Sequence, residues 1–354
     1  MSNAFTLNRI LGWAFGQNQF FERIFGPMSD IDIISKYREQ FVTHLQARTQ
    51  ITDPRNLYEP IQYILGLGGK RLRPILALMT AEAFGGKAEK AMDVALAIEM
   101  FHNFSLVHDD IMDDAPLRRG KTTVHEKWDI NTGILSGDAM LILSYQFFEG
   151  YPVKTYFELT KLFSKTALEV CEGQQYDVDF ETRDDVTIPE YLKMIEYKTS
   201  VLVAAAMKMG AIVADADPKD ADAIYEFGRN LGIAFQLQDD FLDAFGNPET
   251  FGKQIGGDII ENKKTYLYLK ALQGANKDDK EGLLHLYSIK PEDSSTKVEA
   301  VKTIFEESGA VEETRKAIKK YTQMAFRALD ETKLPEQSKE LLQQFGESLM
   351  ERTV

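Results

Sequence analysis

The amino-acid sequence predicts an all-α protein built as one domain, and three observations carry this. From Ile31 onward, apolar residues recur at helical rather than strand spacing; Pro and Gly are sparse and fall between such stretches; and no run alternates apolar with polar residues as a half-buried strand does. Val94, Ala97, Ile98, Phe101, Ser105 and Val107 mark one helix, in a stretch free of Pro and Gly from Ala91 to Met112. Leu159, Leu162, Phe163, Thr166 and Val170 repeat the pattern, as do Val201, Ala205, Met207 and Met209. Breaks at Gly85-Gly86, Ala115-Pro116, Asp217-Pro218, Asn247-Pro248 and Lys290-Pro291 separate the helices. Residues from Ser294 to Arg352 read as amphipathic helices rich in Glu and Lys.

A chain of 354 residues would by length alone suggest two domains. No Ser/Gly linker or low-complexity tract divides Ile31 to Val354, so residues 28–354 are expected to form a single helical domain. Residues 1–27 are an N-terminal extension, disordered or helical, ahead of a second start at Met28. Phe5 to Phe25 is aromatic but interrupted by Asn8, Arg9, Gln17, Asn18, Gln19, Glu22 and Arg23, and it lacks the basic start and small-residue cleavage site of a secretion signal.

Composition narrows the function. Apolar residues make up 44% and charged residues 27%, an ordinary globular balance. The formal net charge of −14 disfavours nucleic acid and anionic bilayers as partners. An anionic substrate would need a local cluster of cations or a bound metal. The single cysteine, Cys171, excludes an intrachain disulfide and a thiolate zinc site, and suits a reducing cytoplasm. No apolar run approaches the ~20 residues of a membrane span.

One acidic pattern occurs twice. His108-Asp109-Asp110-Ile111-Met112-Asp113-Asp114 ends one helical stretch, and Gln238-Asp239-Asp240-Phe241-Leu242-Asp243 lies in another. Positions i and i+4 share a helix face, so Asp109 and Asp113 point the same way, as do Asp239 and Asp243. Carboxylates so placed repel unless a cation stands between them, and hard oxygen ligands suit Mg²⁺ shared with substrate phosphates. The flanks are apolar: Phe104, Leu106, Val107 and Ile111 in the first case, Ile233, Phe235, Leu237, Phe241 and Leu242 in the second. Solvated acidic faces are not usually embedded in this way.

Cations gather in two further places. Gly68-Gly69-Lys70-Arg71-Leu72-Arg73-Pro74 puts three of them behind a glycine pair that lets backbone N–H groups approach phosphate. Leu117-Arg118-Arg119-Gly120-Lys121 begins four residues after Asp113 and offers forked donors for phosphate oxygens.

Taken in order, these segments resemble the trans-isoprenyl diphosphate synthase (polyprenyl synthetase) family, of the short-chain farnesyl/geranylgeranyl type. The resemblance adds Tyr197-Lys198-Thr199, Phe235-Gln236-Leu237 ahead of the second acidic motif, Gly252-Lys253, and Lys263-Lys264-Thr265-Tyr266, so it runs from Gly68 to Tyr266. It implies an antiparallel helical bundle of the isoprenoid synthase type around a central cavity, working as a homodimer. It also implies a prenyltransferase that joins isopentenyl diphosphate head-to-tail (1'-4) to an allylic diphosphate (dimethylallyl, geranyl or farnesyl), giving a short all-trans product and free diphosphate. Asp109, Asp113, Asp239 and Asp243 are then the ligands of three Mg²⁺ ions. Arg118, Lys198, Thr199, Gln236 and Lys253 contact the allylic diphosphate, with Arg118, Lys198, Gln236 and Lys253 as the catalytic set. Lys70, Arg73, His102 and Arg119 form the isopentenyl diphosphate site, and Gln174 and Asp177 the polar pair behind the metal. Thr122 stands where the family usually has proline, which removes no charged group.

The implied chemistry is ionisation of the allylic C–O bond, attack by the isopentenyl double bond, and loss of a proton to the departing diphosphate. No side-chain nucleophile is needed. Product length follows from the helix that ends in Asp109: one turn rises about 5.4 Å, roughly one isoprene unit. Ser105 is small, whereas Phe104 and Phe101 are bulky, which predicts a product of fifteen or twenty carbons. Two rival readings are a terpene cyclase and a non-catalytic subunit of a heteromeric synthase. The basic Gly-Gly-Lys-Arg-Leu-Arg-Pro segment and the second acidic motif weigh against the first, and the intact aspartates against the second.

Overall fold

The computed structural model describes residues 28–247 and 255–350. Helices dominate, as the periodicity predicts, and among the described residues the only strands form one two-residue ladder. No described helix is long and apolar enough to cross a membrane. The extension 1–27 and the predicted site residue Lys253 lie outside the described residues.

In chain order the helices are α1 (Met28–Arg48), α2 (Arg55–Gly66), α3 (Leu72–Ala83) and, after a short 3₁₀ turn at Ala88–Ala91, α4 (Met92–Met112). The hairpin β1 (Leu117–Arg118) and β2 (Lys121–Thr122) leads to α5 (Val124–Lys127), α6 (Ile130–Gln146), α7 (Val153–Thr182) and α8 (Ile188–Ile195). A π-helical turn, Glu196–Ser200, joins α8 to α9 (Val201–Val213). Next come α10 (Pro218–Phe245), α11 (Gly257–Ile260), α12 (Tyr266–Gly274), α13 (Lys277–Leu286), α14 (Ser295–Glu307), α15 (Ala310–Asp330) and α16 (Glu336–Met350). The described residues pack into two compact units, one holding residues 32–165 and 205–225, the other 28–31, 166–204, 226–247 and 255–350.

The first unit is organised around α4. Val94 to Ile98 and Phe101 are fully buried, so the helix is apolar nearly all the way round, as a central helix must be. Glycines let its neighbours approach closely. A Cβ on Gly137 of α6 would lie 2.2 Å from His108 of α4, and one on Gly210 of α9 would lie 2.3 Å from the Ala77 carbonyl of α3. Arg119 and Gly120 both have positive φ (54° and 71°), the pattern a two-residue hairpin turn requires. The hairpin was not expected from the sequence; two residues per strand are too few to show alternation.

The second unit is built on the C-terminal part of α10. Ile233, Leu237, Phe241 and Leu242 pack with Tyr191, Met194 and Ile195 of α8, Leu267 and Leu269 of α12, and Val301 and Phe305 of α14. A Cβ on Gly173 of α7 would sit 2.2 Å from the backbone nitrogen of Lys198, so the absence of a side chain there lets the π turn close against α7. Such turns recur at functional sites because they re-aim side chains out of an otherwise regular helix.

Two glycine substitutions separate packing from propensity. Gly210→Ala drives a methyl group into the α3 backbone and is expected to cost about 1–3 kcal/mol in urea denaturation. Gly282, inside α13, has no atom within 4 Å of its Cβ position, so Gly282→Ala is expected to stabilise by up to about 1 kcal/mol. Equal effects of the two substitutions would contradict this packing.

Candidate active site

In the first unit, α4 ends in the first acidic motif. Asp110, in the middle, is only 1% exposed and turns inward, where Arg118 grips both of its carboxylate oxygens from Nε at 2.8 and 2.9 Å. The Arg118 Nη2 adds a contact at 2.7 Å. Asp109 is half-buried and Asp113, which caps the helix, is exposed. Helix C-termini carry negative partial charge, so these carboxylates add to a field that already favours a cation.

Guanidinium groups fill the neighbouring ground. Arg71 has positive φ (53°) as the N-cap of α3 and is buried; it donates to Glu99 of α4 and to the Leu65 carbonyl. The side chains of this ion pair are only 4% and 3% exposed, so each charge depends on the other. Arg119 donates to the Gly68 carbonyl, and a Cβ on Gly69 would come within 2.8 Å of its guanidinium. Gly69 also has φ of 123°, a conformation suited to glycine alone. Arg73 lies 3.4 Å from His102 Nε2, and its own Nε is buried without a partner.

These cations act on His102. Burial, followed by the positive charges of Arg73, Arg119, Arg118 and Arg71, holds its imidazole well below the usual histidine range. Burial likewise lowers Arg73 and Arg119 from the usual arginine value. A cluster of guanidinium groups around a neutral imidazole is an anion site: it gains most from a ligand that brings negative charge.

The second unit repeats the logic around Asp240. That carboxylate is buried and accepts from Tyr191 Oη and, at 2.8 Å, from Gln236 Nε2. Thr199 Oγ1 donates to Gln236 Oε1 at 3.3 Å, so Thr199, Gln236, Asp240 and Tyr191 form one chain of hydrogen bonds. Burial pushes Asp240 up to about 6. Asp239 and Asp243 are half-buried on the adjoining face, in the last two turns of α10. Asp243 Oδ2 accepts from the Asp258 amide at 2.9 Å. Burial, then Asp240 and Asp243, pushes Asp258 up to about 8. Crowded carboxylates at a helix C-terminus are the donor set expected of a hard divalent cation.

Lys198, in the π turn, pairs with Asp177 of α7. Gln174, one turn earlier, has a buried Oε1 without a hydrogen-bond partner. Thus, within the described residues, the first unit brings together Arg73, His102, Arg118 and Arg119 beside the helix that ends in Asp109 and Asp113. The second brings Lys198, Thr199 and Gln236 to the helix that carries Asp239 and Asp243. Lys70 is half-buried in the segment before α3. Of the aromatic pair, Phe101 is fully buried and Phe104 nearly so. Their ring centroids are 5.4 Å apart, and Phe163 stands 5.3 Å from Phe101, with Phe148 and Tyr145 behind it. Ser105 Oγ donates to the His102 carbonyl at 2.9 Å.

Residues 54–305 match the model of the polyprenyl synthetase family. The chain belongs to that family. Among relatives of this polyprenyl synthetase, a short chain isoprenyl diphosphate synthase of Methanothermobacter thermautotrophicus is 37% identical over 304 residues, 86% of this chain and 93% of its own. A geranylfarnesyl diphosphate synthase of Natronomonas pharaonis is 35% identical over 340 residues, 90% of this chain and 97% of its own. A crystal structure of a geranylgeranyl pyrophosphate synthase superposes with a TM-score of 0.87 at 54% identity, covering 91% of this chain and 99% of that one. Another, from Corynebacterium glutamicum, was solved with isoprenyl diphosphate and magnesium; it superposes with a TM-score of 0.78 at 26% identity, covering 91% of this chain and 98% of that one. The chain is therefore a prenyltransferase of the prenyl diphosphate synthase kind, and its fold is all-α.

Sequence reasoning passed over several residues on which this polyprenyl synthetase site depends. Glu99 carried a signal, a lone carboxylate in an apolar helix, which demands a buried partner. Asp110 and Asp240 were visible only as parts of their motifs. Tyr191 and Asp258 gave no signal, because their partners are distant in the chain.

The histidine yields a test. Its folded-state value is depressed, so the unfolded chain takes up a proton first as pH falls. Stability is therefore expected to be lost as pH drops below about 6.5, the ordinary histidine value. Imidazole NMR of the ligand-free protein from pH 8 to about 5.5 should show His102 neutral throughout. A His102 resonance that titrates near 6.5 would contradict the cation cluster.

Proposed function

We propose that this prenyltransferase condenses isopentenyl diphosphate with an allylic diphosphate in a Mg²⁺-dependent head-to-tail reaction, with geranylgeranyl diphosphate, of twenty carbons, as its main product. The observation that carries the reading is the guanidinium cluster around His102, built beside the helix that ends in Asp109 and Asp113. The 54% identity to a geranylgeranyl pyrophosphate synthase supports the product.

Each side chain then has a task. Arg73, Arg119 and neutral His102, with Lys70, bind the diphosphate of isopentenyl diphosphate. Arg71, fixed by Glu99, adds to the positive field without touching substrate. Asp109 and Asp113, and in the other unit Asp239 and Asp243, are the Mg²⁺ ligands, and their oxygen donors and helix-end placement fit that ion. Bound Mg²⁺ supplies positive charge that offsets the charge growing on the departing diphosphate. For the allylic diphosphate the first unit offers Arg118, oriented by Asp110, and the second offers Lys198, oriented by Asp177, with Thr199 and Gln236; the family resemblance adds Lys253. Such preorganised charge is commonly the largest catalytic contribution. The departing diphosphate takes the proton that the new chain loses.

Phe104 and Phe101 limit the tail, with Ser105 opening the turn above them. The exposed apolar side chains of α6 and α7, among them Ile134, Leu135, Ile142 and Phe157, are the face through which the chain forms a homodimer. A light-scattering mass of a single 40.2 kDa chain would overturn that assembly.

Product analysis tests the reading. Purified protein with Mg²⁺, labelled isopentenyl diphosphate and each allylic primer in turn is expected to yield a ladder ending at twenty carbons, and nothing once Mg²⁺ is chelated. Phe104→Ala should lengthen the product by about one isoprene unit, the rise of one helical turn. Phe101→Ala in a fully buried cluster costs about 3–5 kcal/mol, so Phe104 is the cleaner probe. An unchanged ladder in Phe104→Ala would remove the aromatic floor, and the absence of Mg²⁺-dependent extension with every primer would remove the reaction.

A further inference from the structure

The hairpin that carries Arg118 and Arg119 is closed at its base. Leu117 pairs with Thr122 and Arg118 with Lys121. Below them, the Thr123 amide donates to the Pro116 carbonyl at 3.2 Å, and Thr123 Oγ1 to the Ala115 carbonyl at 2.8 Å. This closure brings Asp114, just before the hairpin, next to His125 and Glu126, just after it. One ligand atom from each of the three residues lies within 4.8 Å of the other two. His125 Nε2 and Glu126 Oε1 are 3.8 Å apart.

The histidine is what separates this group from an ordinary acidic patch. Its side chain is only 4% exposed, yet neither ring nitrogen has a hydrogen-bond partner. A buried polar nitrogen left unpaired is destabilising, because it has given up water and gained no partner. This cost is removed if the imidazole gives a lone pair to a cation that the two carboxylates also hold. Asp114 and Glu126 are both exposed, so a cation has a route in.

We propose that Asp114, His125 and Glu126 form a second divalent-metal site, distinct from the aspartate pairs and selective for Zn²⁺ or a similar transition ion. A nitrogen donor with two carboxylates suits Zn²⁺, Co²⁺ or Mn²⁺, whereas Mg²⁺ prefers oxygen and water around it. Three protein ligands leave a position for water. Because the ligands stand at the two ends of the hairpin, the ion ties its base and holds Arg118 and Arg119 in register. The site acts on the shape of the loop and needs no part in the reaction.

The test titrates Co²⁺ into the full-length, metal-free protein in the presence of excess Mg²⁺, followed by its visible absorption. One equivalent is expected to bind with a spectrum of nitrogen and oxygen ligands, and Zn²⁺ should displace it. A sulfur-to-cobalt charge-transfer band would instead assign the binding to the exposed Cys171 and overturn the proposal. His125→Gln should abolish the site, but the residue is buried and the variant can misfold. Asp114→Asn and Glu126→Gln alter exposed side chains, and each is expected to weaken Co²⁺ binding at least tenfold. Zn²⁺ should also raise the melting temperature of wild type and not of these variants. If both variants bind Co²⁺ as tightly as wild type, or if no Co²⁺ binds beside excess Mg²⁺, the site does not exist.

Discussion

In each aspartate motif the middle carboxylate is turned inward and bonded by the protein, and the arrangement of the flanking ones depends on that bond. Asp110 takes the fork of Arg118, and Asp240 takes Tyr191 and Gln236. A helix that fixes one of these side chains fixes the direction of its neighbours, since residues four apart share a face. Asp109 with Asp113, and Asp239 with Asp243, are therefore presented as pairs at helix C-termini, where their mutual repulsion and the helix field both call for a cation. The same bonds orient the groups of opposite charge, since Arg118 is held by the carboxylate it neutralises.

The whole chain is acidic, at −14, yet its first unit concentrates guanidinium groups beside His102. Net charge says how a protein behaves toward bulk polyanions; a site is decided by local arrangement. Here the arrangement is held by backbone strain and by missing side chains. Arg71 and Arg119 both take positive φ, and Gly69 leaves the room that the Arg119 guanidinium fills. Buried Glu99 pairs with the Arg71 guanidinium where water is scarce. Gly69, Arg71 and Glu99 need not touch substrate to matter, because they set the place and the field of the cations beside them.

Much of the fold was legible in the sequence. The stretch from Ala91 to Met112, free of Pro and Gly, is α4 to within one residue, and the amphipathic C-terminal run resolves into α14, α15 and α16. The i,i+4 phasing of the aspartates was legible too, because helical geometry alone fixes it. The hairpin at Leu117–Thr122 was not, since a two-residue strand carries no periodicity. Nor was the π turn at Glu196–Ser200, which depends on Gly173 of another helix. The Tyr191–Asp240 and Arg71–Glu99 partnerships join residues 49 and 28 positions apart, and no local pattern announces them. No sequence pattern singles out His125, because its isolation from every hydrogen-bond partner is a property of the folded chain.

The central claim of the proposed function is that each aspartate pair holds Mg²⁺ for a prenyl diphosphate. Calorimetric titration with an uncleavable allylic diphosphate analogue in Mg²⁺ addresses it most directly, comparing wild type with the double variants Asp109→Asn with Asp113→Asn, and Asp239→Asn with Asp243→Asn. The account predicts Mg²⁺-dependent binding that each double variant weakens at least tenfold, about 1.4 kcal/mol or more. Undiminished affinity in either double variant would contradict it, because that pair would then have no share in holding the diphosphate.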